Sequence, residues 1–250
     1  MKRISIVVPC RNEAAAIDAT LVRLLEAVAH PSFASSGVES EILVVANRCV
    51  DGTAELARRR LAAHPNARVI ESSAQNAPAA RNEGAGLASG DVLVFVDADT
   101  WIPEDGLAAV FGHVERGKHA GIFSLAPTST GLRARAFFGF WNHVRRLPLA
   151  RAKAMPAFMF ATRGAFDRHG PFDEGVLIGE EWPILVGVYR SRPQAFVYDR
   201  TRVAETSSRR MDLRRFGYLR VLARYAWAVV HASGRLDYPD DVREVPVCEP

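Results

Sequence analysis

Lysine is almost missing from this 250-residue chain: Lys2, Lys118 and Lys153 are the only three, although lysine and arginine together number 32. The net charge of +4 is therefore carried by arginine, whose planar fork binds phosphate and carboxylate in a bidentate way. A GC-rich coding bias gives the same composition, so the charge alone selects no function. Cysteine is equally scarce. Cys10, Cys49 and Cys248 form no C-x-x-C pair and have no histidines at ligand spacing, which removes the common zinc modules. No run of about twenty uninterrupted apolar residues occurs, and Met1-Lys2-Arg3 leads into a strand pattern rather than a signal-peptide core. The expectation is a soluble, cytoplasmic protein with reduced thiols, in which Cys10 and Cys49 stay unbonded though each follows a strand end. Repeats and low-complexity blocks are absent. Aromatics do not alternate with basic residues along any strand, so nucleic acid is not an expected partner.

What the chain does have is apolar residues, 48% of the total, enough for one large core. Runs with no polar break, at residues 4–9 (ISIVVP), 42–45 (ILVV) and 92–96 (VLVFV), read as parallel strands buried on both faces. Helical patterns at 14–29, 77–88 and 107–114 alternate with them, and weaker strand patterns lie at 69–70 and 120–125. The alternation predicts an α/β fold, a mostly parallel Rossmann-like sheet flanked by helices in a single domain. A Pro, Ser, Thr and Gly cluster at 127–131 divides it into a first half, 1–126, and a second, 127–235, followed by a tail at 236–250.

In such sheets ligands sit at the carboxyl ends of the strands, and those ends carry the chemistry. The 92–96 strand delivers Asp97-Ala98-Asp99-Thr100, a hard-oxygen set suited to Mg²⁺ or Mn²⁺ bridging phosphates. The same triplet also fits a turn and cap before a helix at Pro103. The first strand ends in Pro9-Cys10-Arg11-Asn12-Glu13, and the second in Ala46-Asn47-Arg48-Cys49-Val50-Asp51-Gly52-Thr53, where Asp51 is placed to cap the next helix. Arg81-Asn82 opens the helix before the acidic strand, with Arg81 in reach of a diphosphate and Asn82 placed to hold the loop.

Taken in order, SIVVPCRNEA, VVANRCVDGT, APAARNEG and VFVDADTWIP resemble the nucleotide-binding half of a family 2 glycosyltransferase with the GT-A fold. The resemblance continues through His169-Gly170-Pro171-Phe172-Asp173-Glu174 and Ile178-Gly179-Glu180-Glu181-Trp182, similar to the family's G-F-D-E turn and acidic pair, and covers roughly residues 2–210. It implies metal-dependent transfer of a sugar from a nucleoside-diphosphate donor to a hydroxyl acceptor, with inversion. Asp99, helped by Asp97, would hold the cation, and Arg81 would stabilise the leaving diphosphate. Pro9, Asn12, Glu13 and Asn47 would line the base and ribose site. Glu181, with Glu180 beside it, would take the acceptor's proton. Two departures stand out. Where the family usually has Asp-Asp-Gly-Ser, this chain has Ala46-Asn47-Arg48-Cys49, so a uridine preference does not carry over. The acidic pair is usually Glu-Asp, and its replacement by Glu-Glu moves the base carboxylate by about an ångström, leaving a retaining route open.

The second half determines less. Residues 132–151 and 212–230 mix arginines with aromatics, as a surface touching anionic lipid headgroups would, and as an ordinary amphipathic helix would. The resemblance also implies a downstream histidine as a third metal ligand, for which His231 is the candidate, although its place at the end of the last long helix is more simply that of a charge favouring the helix dipole; the other histidines need no role. Two rival classes remain: a nucleotidyltransferase, which would carry a Gly-rich phosphate loop with lysine after the first strand, and an inactive nucleotide- or membrane-binding module, which would need no base at Glu181. Release of free nucleoside diphosphate from a nucleotide sugar separates both from a glycosyltransferase.

Overall fold

The computed structural model describes residues 3–153, 156–176, 178–213 and 216–230. The predicted tail, Cys248 and His231 lie outside them. Chain order runs β1 (Arg3–Cys10), α1 (Ile17–Ala29), α2 (Pro31–Ala34), β2 (Glu39–Asn47), α3 (Thr53–Leu61), β3 (Ala67–Ser72), α4 (Ala77–Leu87), β4 (Val92–Val96), β5 (Thr100–Trp101) and α5 (Gly106–Glu115). It continues through β6 (Ala120–Pro127), α6 (Leu132–Val144), β7 (Phe158–Thr162), α7 (Arg163–His169), α8 (Trp182–Ser191), β8 (Phe196–Thr206), α9 (Arg209–Asp212) and α10 (Gly217–Val230).

The described strands form one sheet in the order β3-β2-β1-β4-β7-β6-β8-β5. Pairings β1–β2, β1–β4, β2–β3 and β6–β8 are parallel; β7 runs antiparallel between β4 and β6. The sheet thus continues across residue 127, with β7 and β8 of the second half completing it. In β1 the even residues Ile4, Ile6 and Val8 join one core with α1, α3 and α5, while Val7 joins a second core with α4, α7 and α8. β4 divides the same way, Val92, Val94 and Val96 against Leu93 and Phe95. Burial on both faces is the reason these strands read as unbroken apolar runs. Pro9 lies beyond the last β1–β4 rung, Val7–Phe95, where its missing N–H breaks no bond between those strands.

His113 departs from the sequence reading. It follows Val110 by three residues and so shares the buried face of α5 with Leu107 and Val110. There it meets Asp199 Oδ2 at 2.9 Å, and Arg202 Nη1 reaches the same oxygen at 3.1 Å. Asp199 is desolvated, but these partners and the Thr201 hydroxyl and backbone hold its carboxyl well below the usual range. None of the described helices is long and apolar enough to cross a membrane.

Candidate active site

Three loops meet at the carboxyl ends of β1, β2 and β4. After β1, Asn12 is left-handed (φ 53°), and its Oδ1 accepts the Val50 N–H at 2.9 Å from the neighbouring loop. Arg48, after β2, is also left-handed (φ 49°) and is held by two bonds to the Ser73 carbonyl, at 3.1 and 2.8 Å. Asp51 anchors both loops: its carboxylate accepts the Ala14 N–H at 3.0 Å and the Thr53 N–H at 3.1 Å. The N-cap of α3 is Gly52, without a side-chain cap bond, so Asp51 does not occupy the cap position the sequence suggested but reaches the first helical N–H, at Thr53, from one residue before it. The Glu13 N–H donates to the Thr53 hydroxyl at 2.8 Å, and the Glu13 carboxylate pairs with Arg209 of α9. Asn47 is 2% exposed, and its amide oxygen has no hydrogen-bond partner among the described residues. A buried, unsatisfied acceptor costs about 1–3 kcal/mol, and here it sits at a strand end where an N–H of a ligand would satisfy it.

The acidic triplet is a turn: the Thr100 N–H donates to the Asp97 carbonyl at 3.0 Å, and Thr100 opens β5. It is not the helix cap, because α5 begins only at Gly106 behind Asp105. Two backbone bonds fix the loop further, Asp97 N–H to the Ala157 carbonyl at 3.0 Å and Ser207 N–H to the Asp99 carbonyl at 3.2 Å. Strand β4 and its partners thus present Asp97 and Asp99 on a rigid frame.

Arg81 joins this loop to the second half. Its Nη2 lies 2.6 Å from Asp97 Oδ1 and its Nη1 3.2 Å from Glu180 Oε1. Burial disfavours the Arg81 charge, but Asp97 and Glu180 outweigh it and hold the guanidinium protonated above its ordinary range. Glu180 responds in the opposite sense: burial pushes its carboxyl up, Asp97 adds to this, and Arg81 opposes it. Glu181, 3% exposed, ends the same loop at the start of α8 and acts electrostatically on Arg81 and on Arg145. Asn82, next along α4, donates to the Phe172 carbonyl at 3.0 Å and to Glu174 at 2.8 Å, and accepts the Phe172 N–H at 2.9 Å. It thereby holds the turn at residues 170–174 of the second half. The Trp182 indole N–H, beside the acidic pair, is buried with no partner among the described residues. Sequence reasoning missed Arg209, placed Arg145 only among the arginines of segment 132–151 and quoted Trp182 only as the neighbour of the acidic pair; one arginine among 29 carries no signal of burial.

Among the described residues no three acidic, cysteine or histidine side chains stand close enough to cage a metal. Asp97 and Asp99 nonetheless suit Mg²⁺ or Mn²⁺, which bind through one or two carboxylates and take their remaining ligands from substrate phosphates and water.

The mixed sheet thus carries an acidic loop at the end of β4, joined through Arg81 to the acidic pair before α8. The model of glycosyl transferase family 2 matches residues 5–168, and the chain belongs to that family. It is 28% identical over 183 residues to the glycosyltransferase AglE of Haloferax volcanii, covering 70% of this chain and 58% of that one. The mannosyltransferase PcManGT of Pyrobaculum calidifontis, solved with GDP-Man and Mn²⁺, superposes with TM-score 0.63 at 20% identity, over 96% of this chain and 66% of that one. Glucosyl-3-phosphoglycerate synthase of Mycobacterium tuberculosis, solved with Mn²⁺, UDP and glucosyl-3-phosphoglycerate, gives TM-score 0.57 at 18% identity, over 92% and 77%. These likenesses establish the GT-A fold. The chain spans a little over half the length of AglE and about two thirds of the mannosyltransferase.

Proposed function

We propose that this chain transfers a sugar from a nucleoside-diphosphate donor to a hydroxyl acceptor, with inversion at the anomeric carbon. The observation that carries the reading is the Asp97–Arg81–Glu180 chain, which binds the strand-end carboxylates to the acidic pair across 99 residues of sequence between Arg81 and Glu180. Pro9, Asn12, Glu13 and Asn47 line the base and ribose site, the unsatisfied Asn47 oxygen accepting an N–H of the base. Asp99 with Asp97 would hold a divalent cation, as the Mn²⁺ in both similar structures suggests, and such a cation would supply charge neutralisation of the diphosphate. Arg81 adds a fixed positive charge beside the same group, which favours its departure.

Glu181 takes the acceptor's hydroxyl proton as that oxygen bonds to the anomeric carbon and the bond to the diphosphate breaks. Glu180 is tied to Arg81, and its role here is to hold that guanidinium rather than to act as the base. The acceptor side holds an apolar groove of about 760 Å³ between α6 and α10, lined by Phe137, Phe140, Phe216, Leu219 and Leu222. With Arg133, Arg135, Arg220 and Arg224 on the same helices, it favours an acceptor with a hydrocarbon part, reached at the surface of an anionic membrane.

The test is transfer by Glu181→Gln. General-base removal acts on the chemical step, so donor affinity should be kept while transfer falls by a factor of about a hundred or more. Near wild-type transfer would move the base to Glu180 or Asp173, or replace inversion with retention.

A further inference from the structure

Two of the three cysteines stand together on the loops that carry Asn12 and Asn47. Cys10 is the last residue of β1 and pairs with Ala46 on the final rung of the β1–β2 ladder, three residues before Cys49. The Cys49 thiol reaches the Cys10 carbonyl at 3.5 Å and the Asn47 carbonyl at 3.9 Å, while the Cys10 thiol reaches the Val45 carbonyl at 3.5 Å. Each thiol also acts on the other by hydrogen bonding, and neither is covalently bonded. The two loops are tied around them by the Val50 N–H to Asn12 at 2.9 Å and by the Ala14 N–H to Asp51 at 3.0 Å, so the sulfurs are held at this approach.

The two thiols are unequal. Cys10 is 3% exposed, and hydrogen bonding to Cys49, then burial, pushes it far above the ordinary thiol range. Cys49 is partly exposed, and hydrogen bonding from Cys10, opposed by burial and aided by the Asn12 N–H and the Thr53 hydroxyl, brings it down to about 7. A thiolate within reach of solvent, backed by a second thiol that solvent does not reach, is the arrangement of an attacking and a resolving cysteine. None of the steps proposed for sugar transfer uses either sulfur.

We propose that Cys10 and Cys49 form a dithiol that peroxides oxidise reversibly to a disulfide, and that the closed form binds nucleotide more weakly. The second part rests on the reading of Asn12 and Asn47 as lining the base site. The Cys49 thiolate attacks one peroxide oxygen and the O–O bond breaks, which leaves Cys49 as a sulfenic acid and releases hydroxide, protonated to water. The Cys10 sulfur then attacks the Cys49 sulfur, and the displaced hydroxyl leaves with the Cys10 proton as a second water. Two thiols and one hydrogen peroxide thus give one disulfide and two waters, the thiols supplying both electrons. Closing the bond takes the Cys49 sulfur from the Cys10 and Asn47 carbonyls and draws the loops together. Asn12 lies two residues after Cys10 and Asn47 two before Cys49, so both asparagines move with it.

The test uses the full chain carrying Cys248→Ser, which leaves Cys10 and Cys49 as its only thiols. After a modest excess of hydrogen peroxide, peptide mapping without reductant should find Cys10 joined to Cys49, and dithiothreitol should reverse the bond. With Cys10→Ala added, oxidation should stop at a Cys49 sulfenic acid that dimedone traps. Titration calorimetry with GDP or UDP and Mn²⁺ should show binding to the oxidised chain weakened about tenfold or more, the size of one hydrogen bond to the base, and recovered on reduction. With Cys49→Ser added instead, peroxide should leave the affinity where it was. Oxidation that forms no Cys10–Cys49 bond, or equal affinity before and after the bond forms, overturns the proposal. A reduced chain that binds neither nucleotide overturns the donor-site reading and the control of binding with it, while the mapped bond, read by mass alone, still decides the dithiol.

Discussion

At the scale of single residues, the loops after β1 and β2 hold the features least accessible to sequence. Asn12 was legible, since asparagine tolerates the left-handed region. Arg48 was not: nothing in its type demands φ 49°, which the Ser73 carbonyl and the Asp51 network impose from outside. The thiols behave likewise. Cys49 S–H reaches the Cys10 carbonyl at 3.5 Å, and both cysteines are free. Hydrogen bonding from Cys10 lowers the Cys49 thiol to about 7, while Cys10 is pushed up. Alkylation of Cys49 by iodoacetamide should therefore rise through a midpoint near pH 7 and level off above it, with Cys10 unreactive. In Cys10→Ala the midpoint should move up toward the ordinary thiol range; mass-spectrometric mapping of the modified cysteine at each pH reads both effects, and an unmoved midpoint would contradict this account.

Whole elements were read well where both faces of a strand are buried and poorly where one is not. β1, β2 and β4 are such strands; β1 and β4 were assigned almost to their ends, whereas only the apolar centre of β2, residues 42–45 of Glu39–Asn47, was read. β8 (FVYDRTRVAET) alternates buried and exposed positions around a register shift between Phe123 and Ser124, and its charges hid it. Asp199 at that shift is a test of element packing. Its folded pKa lies below its unfolded one, so the stabilisation it gives is present above about pH 4 and is lost as pH falls through the folded value. Asp199→Ala should cost about 3 kcal/mol at pH 7 by stranding the buried His113 and leaving Arg202 with Asp105 alone, and urea midpoints of variant and wild type should converge toward pH 2.

Helix α4 offers a second test at this scale. A Cβ on Gly84 would meet Val7 Cγ1 at 2.4 Å and Val45 Cγ2 at 3.0 Å, so this helix rests directly on β1 and β2. Gly84→Ala should destabilise by about 1–3 kcal/mol through overpacking. Since Arg81 lies one turn earlier, a displaced α4 also moves its guanidinium from Asp97. Titration calorimetry with GDP or UDP and Mn²⁺ should show weaker binding, and undiminished affinity would show that the helix position does not set the site.

For the molecule as a whole, sequence named the separate parts of the site but not their connection. Asp97, Arg81 and the acidic pair stood out as local motifs at strand and helix ends; that Arg81 binds Asp97 and Glu180 at once follows only from β7 and α8 folding back against β4 and α4. Helices α6 and α10 offered no such motif, because an apolar groove between amphipathic helices and a core helix look alike along the chain. The central claim, a donor site at the end of β4 that supports sugar transfer, is tested most directly by measuring free nucleoside diphosphate released from GDP- and UDP-sugars in the presence of Mn²⁺, by wild type and by Asp99→Ala. Release by the wild type, lost by a factor of about a hundred or more in a folded Asp99→Ala protein, is the predicted result. Equal release by both proteins, or none from any nucleotide sugar by a wild type that binds the nucleoside diphosphate, would contradict it.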